Sequence, residues 1–155
     1  MDDFWAFSLR VYTVAGVPQR LLDWQESAGA NVNLALACIW AAERGRPLRA
    51  PDLRRAQTGL AGWHTATVAP LRALRRRLKA DWAGLAIDAE PARQAILAAE
   101  LEAERAEQAL IVRALAPWPA TPHARPNPAL AAANLRTYLG SAAGADIRAL
   151  LAAIA

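Results

Sequence analysis

The chain has 155 residues, of which 55% are apolar and 21% charged. That excludes a disordered, charge-dominated polymer and fits one domain. One cysteine closes no internal disulfide, and a net charge of +4 hides a strong asymmetry: residues 46–83 hold nine basic and two acidic groups, residues 84–113 three and six.

Forty residues are alanine and 21 are leucine, both strong helix formers. No alternating pattern is long enough for a sheet, so the expected class is an all-α, single-domain bundle of about seven helices. The first helix covers about residues 3–13, with Phe4, Phe7 and Val11 on one stripe and Trp5, Leu9 and Tyr12 beside it. Gly16 breaks it, Pro18 suits the first turn of a second helix, and Gly29 closes that helix in a left-handed conformation. The third helix, about 31–44, carries no charge between Val32 and Ala42 and belongs in the middle of a bundle, with Asn31 as its N-cap.

A fourth helix is predicted from Pro51 to about Leu60, weakened by Gly59 and Gly62. A separate one, starting near Thr67, contains Leu71, Leu74, Leu78, Trp82 and Leu85. A long helix over about 89–115 follows, its apolar side made of Ile96, Ala99, Ala103, Ala106, Leu110 and Leu115. Five of the ten prolines fall in residues 117–128, which read as an extended connector. Two helices close the chain. The expected organisation is a body over 1–116, a connector over 117–128 and a C-terminal pair over 129–155 docked on the body.

The chain opens Met1-Asp2-Asp3, unlike the positive start of a signal peptide. Its longest uncharged apolar run, Val32–Ala42, falls short of the ~20 residues a membrane span needs. With Cys38 alone in that run, a cytoplasmic chain with no membrane partner is expected.

The strongest chemical signal is the basic segment. At about 100° per residue, Arg72, Arg75, Arg76 and Lys79 share one arc of about 100° beside the leucines, and Arg77 lies on the other flank. An antiparallel hairpin with the long helix pairs residues whose numbers add to about 170. Arg72 then faces Ala98, and Glu100, Glu102, Glu104 and Glu107 face the uncharged residues 63–70, so the stripe is expected to stay unneutralised. It is either a solvated face or a surface for an acidic partner, protein or RNA. No DNA- or RNA-reading motif accompanies it.

Glu104 and Glu107 have the spacing of a helical metal motif but lack its histidine, so no metal and no cofactor is expected and the glutamates read as a solvated face. No Ser-His-Asp set, phosphate loop or zinc spacing is present, and no catalytic residue is assigned. A second candidate is a small pocket near Trp24, Asn31, Asn33, Trp40 and His64, because Asn33 in an apolar helix needs a buried partner. His64 alone reads more readily as a boundary residue, and His123 lies in the connector. Cys38 reads as core rather than nucleophile.

Phe4-Trp5-x-Phe7-Ser8-Leu9-x-Val11-Tyr12, then Gly16-Val17 and Gly29-x-Asn31-Val32-Asn33-Leu34-x-Leu36, resembles the opening of an uncharacterised proteobacterial family of small helical proteins. Pro70-Leu71-Arg72-x-Leu74-Arg75-Arg76 resembles its middle. That family more often carries an acid where Asn31 stands, so no carboxylate role passes to this position. The resemblance implies a bacterial, cytoplasmic setting and no catalytic residues. The expected function is a non-enzymatic helical binding or adaptor protein that meets an acidic partner through Arg72, Arg75, Arg76 and Lys79. The alternative is a ligand or enzymatic pocket at the second candidate.

Overall fold

Every residue from Val32 to Ala42 is buried in the computed structural model, which describes residues 2–79, 82, 87–119 and 127–154. This helix, α3 (Val32–Glu43), is the axis of an all-α single domain. A helix apolar on all faces has no solvent side, so the remaining helices wrap it. The Asn31 side chain accepts from Leu34 N at 3.0 Å and starts it.

Helix α1 (Asp2–Tyr12) lays Phe4, Phe7 and Val11 on this axis. Gly16, at φ 80°, allows the turn into α2 (Val17–Ala28), and Gly29, at φ 63°, ends it with its N–H on Trp24 O. Between α3 and α4 (Ala50–Trp63), Asn134 holds the loop. Its Oδ1 accepts from Leu48 N at 2.8 Å, and its Nδ2 donates to the carbonyls of Cys38 and Arg46 at 3.0 and 3.1 Å. Asn134 belongs to α7 (Pro128–Leu139), started by Asn127, whose side chain accepts from Leu130 N. Helix α7 packs along α3, and α8 (Gly144–Ile154) packs on α7 and α2. Ile147 and Leu150 of α8 are fully buried. Among the described residues no helix is long and apolar enough to cross a membrane.

The expected gap between residues 60 and 67 does not exist. Helix α4 runs through a π turn, His64–Val68, straight into α5 (Ala69–Arg77). Pro70 supplies the reason. It cannot donate to the carbonyl one turn back, and its ring clashes with that carbonyl in a regular helix. Widening the turn, with Ala69 N on His64 O, keeps the rod continuous instead of breaking it. Helix α5 ends earlier than expected, so Trp82 lies beyond it; residues 80, 81 and 83–86, Leu85 among them, lie outside the described residues, as do 120–126 with His123.

The long helix α6 (Glu90–Ala114) and the residue after it bury Ala103 and Leu115 as expected, but otherwise a different face turns inward. Its buried residues are Glu100, Ala103, Glu107, Gln108 and Ile111, while Ala99 and Ala106 are exposed. Ala103, Ile111 and Leu115 form the apolar ladder, and the polar residues sit within it because the bundle offers each a partner.

Candidate functional site

Helices α4, α5 and α6 meet over two linked polar clusters. In the first, Arg72 bridges three partners. Its Nε donates to Glu100 Oε1 at 3.1 Å, one terminal nitrogen to Gln25 Oε1 at 2.6 Å and the other to Glu104 Oε1. Arg75 donates to both oxygens of Glu100. Glu100 is 3% exposed, so it is charged only because two guanidiniums surround it.

This overturns the expectation that the stripe stays unneutralised. The hairpin register is close to the expected one: His64 meets Glu107, and Arg72 meets Glu100. Pairing residues by position alone ignored side-chain length. An arginine reaches about one helical turn, ~5.4 Å, along its neighbour. Two of the four cations are therefore internal. Arg76 and Lys79 are exposed, and neither has an ion-pair partner among the described residues.

Burial pushes the Glu100 carboxyl up, but the hydrogen bonds from Arg75 and Arg72 outweigh it and hold the group below the ordinary glutamate value. A depressed carboxylate contributes stability above its unfolded value and loses it as pH falls through the folded one. The urea midpoint, followed from about pH 7 to about pH 3, should therefore drop below about pH 4. The drop should be smaller in Glu100→Gln; equal drops in the two proteins count against this assignment. Glu104 has the opposite sign, since burial raises it in spite of Arg72. Its protonation relieves strain at mildly acidic pH and does not contribute to the drop.

The second cluster is a buried chain that starts in the core. Ser8 Oγ donates to Phe4 O at 3.0 Å, and Gln108 Nε2 donates to Ser8 Oγ and to Asn33 Oδ1, both at 2.9 Å. Asn33 Nδ2 donates to Glu107 Oε2 at 2.7 Å, and the other oxygen of Glu107 lies 2.7 Å from His64 Nδ1. Glu107 is 1% exposed, which corrects its expected place on a solvated face. Its position was legible in principle, because an acid four residues after Ala103 and four before Ile111 lies on their ladder.

The chain ends at an open cleft of about 470 Å³, within the usual range for ligand sites. Asn31, His64, Arg72, Arg76 and Tyr138 line it, with the amides of Gln25 and Gln57 and a floor that includes Leu34 and Leu60. Of the fifteen lining residues none is Asp or Glu. Asn31 N donates to Tyr138 Oη at 2.7 Å, and burial pushes the Tyr138 phenol up to about 12, so it stays neutral. The π turn sets His64 at the lip.

Of the pocket residues read from the sequence, Asn31 and His64 come together at the cleft, and Asn33 lies one layer below it through Glu107. Trp24 and Trp40 do not join them. Trp24 is buried in the core. Trp40 packs on Phe4 and Trp118, at ring-centre distances of 4.9 and 4.6 Å. Cys38 is fully buried, and burial pushes its thiol up, away from reactivity. Gln25, Gln57, Glu107 and Tyr138 were missed; Tyr138 comes from the far end of the chain, which no local pattern connects to residue 31. Among the described residues no three His, Cys, Asp or Glu side chains converge as a metal site.

A family model described as "Protein of unknown function (DUF2390)" matches residues 3–111, a segment that contains every cleft residue named above except Tyr138. No curated protein and no solved structure matches the chain.

Proposed function

We propose a function from the cleft itself, since the chain belongs to this family of unknown function: it is a binding protein for a small acid, a carboxylate or a phosphate. One observation carries the reading. The cleft wall presents Arg76, which has no acidic partner among the described residues, beside His64 and several side-chain amides, and it presents no carboxylate. A cavity rich in donors and free of acids favours an anion, and Arg holds planar oxyanions by two parallel hydrogen bonds. The broader alternative, a basic face for an acidic protein or RNA, draws on Arg72, Arg75, Arg76 and Lys79. Arg72 and Arg75 are already paired internally, which leaves that surface half its charge.

Thermal-shift titration with inorganic phosphate, succinate and glycerol 3-phosphate tests the reading. A bound probe at about 100 times its Kd stabilises by about 2.7 kcal/mol, a rise of about 5–11 °C in Tm for a chain this size. Arg76→Glu should abolish the rise while leaving the far-ultraviolet circular dichroism unchanged. If no probe raises Tm, or if the rise survives Arg76→Glu, the small-acid reading fails. Retention of an RNA oligonucleotide at low salt, lost on Arg76→Glu with Lys79→Glu while the small probes do nothing, would replace it.

A further inference from the structure

We infer that the cleft is an active site in which His64 is the general base, positioned by Glu107 and Asn33, for hydrolysis of an acyl ester in a small anionic substrate. The inference rests on the cleft taking an acid and adds what is done to it. A carboxylate oxygen and a ring nitrogen at 2.7 Å must share a proton. With that proton on Nδ1, the lone pair of the ring lies on Nε2, which no described residue engages and which is left to a ring lining the cleft. Glu107 cannot turn away, because its second oxygen is held by Asn33, and Asn33 by Gln108 and Ser8. A carboxylate fixing the tautomer and orientation of a histidine is the arrangement that makes the outer nitrogen a directed base.

Asn31 supplies a donor for the oxyanion. Its Oδ1 is engaged by Leu34 N. Its Nδ2 lies 3.3 Å from His64 Nδ1, a nitrogen that already carries a hydrogen and cannot accept. Asn31 lines the same cleft as the base, and its amide hydrogens are left to serve a developing oxyanion there.

No serine or cysteine lines the cleft. The Tyr138 hydroxyl is held by Asn31 N, and Thr65, the other hydroxyl of the lining, makes no hydrogen bond to His64 among the described residues, so water is the nucleophile. Nε2 removes a proton from water as the water oxygen bonds to the acyl carbon, and the carbonyl electron pair moves to oxygen under the Asn31 amide. On collapse, the bond to the leaving oxygen breaks and that oxygen takes the proton from Nε2. Ester and water give acid and alcohol. Arg76 holds the distal carboxylate of the substrate.

Mono-4-nitrophenyl succinate is the probe, and neutral 4-nitrophenyl acetate the comparison. The wild type should release nitrophenolate from the succinate ester faster than buffer does. His64→Ala should lose about 10²–10⁴-fold, with partial recovery on adding imidazole, a recovery that a merely structural histidine would not show. Glu107→Gln, nearly isosteric, should lower kcat at least about tenfold with KM little changed. Arg76→Gln should raise KM for the succinate ester and not for the acetate. Turnover that survives His64→Ala overturns the inference. So does an absence of turnover, and if succinate still binds through Arg76 that result leaves the binding function standing. Loss of both binding and turnover removes both.

Discussion

Trp40→Ala is expected to lower the free energy of unfolding by about 3–5 kcal/mol. The indole is 6% exposed and joins three parts of the chain. Phe4 of α1 lies against one side, and Trp118, just past α6, meets the ring edge-on. The Arg44 guanidinium covers it at 4.2 Å. Alanine removes the aromatic contacts together and leaves a cavity that α3, held on every side, has no room to close. For a chain of this length the loss is a drop of about 6–20 °C in Tm. Trp40→Phe, which retains a ring against Phe4 and Trp118, should recover more than half of it. A Trp40→Ala protein within about 1 kcal/mol of wild type in urea denaturation would show that the ring stack is not a keystone of the core.

Arg72→Met has the second largest expected effect, about 3 kcal/mol, the lower end of what removing one member of a buried ion pair costs. Methionine matches the stem of arginine but leaves Glu104 without its guanidinium and Glu100 with Arg75 alone. The Arg72 side chain is 17% exposed, so water screens little of the loss. Arg76→Met, one turn further along the same helix, should change stability by less than about 0.5 kcal/mol, because Arg76 is exposed and has no ion-pair partner among the described residues. The contrast between two arginines of one stripe is the measurement that matters. Equal effects would mean that the ion pairs with α6 contribute nothing to folding.

Those two arginines also mark where reading the sequence stops. Both lie on one arc of one amphipathic helix, and nothing local distinguishes them. The caps, by contrast, are local. Asn31 and Asn127 each accept from the backbone N–H three residues on, and Gly29 closes α2 where the pattern places it. The uncharged run Val32–Ala42 announces the central helix because no other position in a bundle suits it. The π turn was hidden because Pro70 and Gly62 both suggest a break. What overrides them is the buried ladder of Leu53, Ala56, Leu60 and Val68, which gains more by staying in one rod than by stopping.

The site was legible only in pieces. Asn31 and His64 stand out as polar residues in apolar or boundary positions, whereas Glu107 is one of four glutamates in a short stretch of α6, and only its four-residue spacing to Ala103 and Ile111 marks it. Its burial depends on Asn33, 74 positions away, and on His64, 43 positions away.

The sequence by itself determined that this chain is an all-α bundle, which helix lies at its centre and where most helices begin and end. Those outcomes follow from periodicity and from capping groups within one turn of each other. Only the tertiary structure decided which charges are internal, which face of α6 is buried and that a cleft opens between residues 31, 64, 76 and 138. Those outcomes depend on the register between helices and on the reach of long side chains across it, and neither quantity is written in the order of residues along one strand of chain.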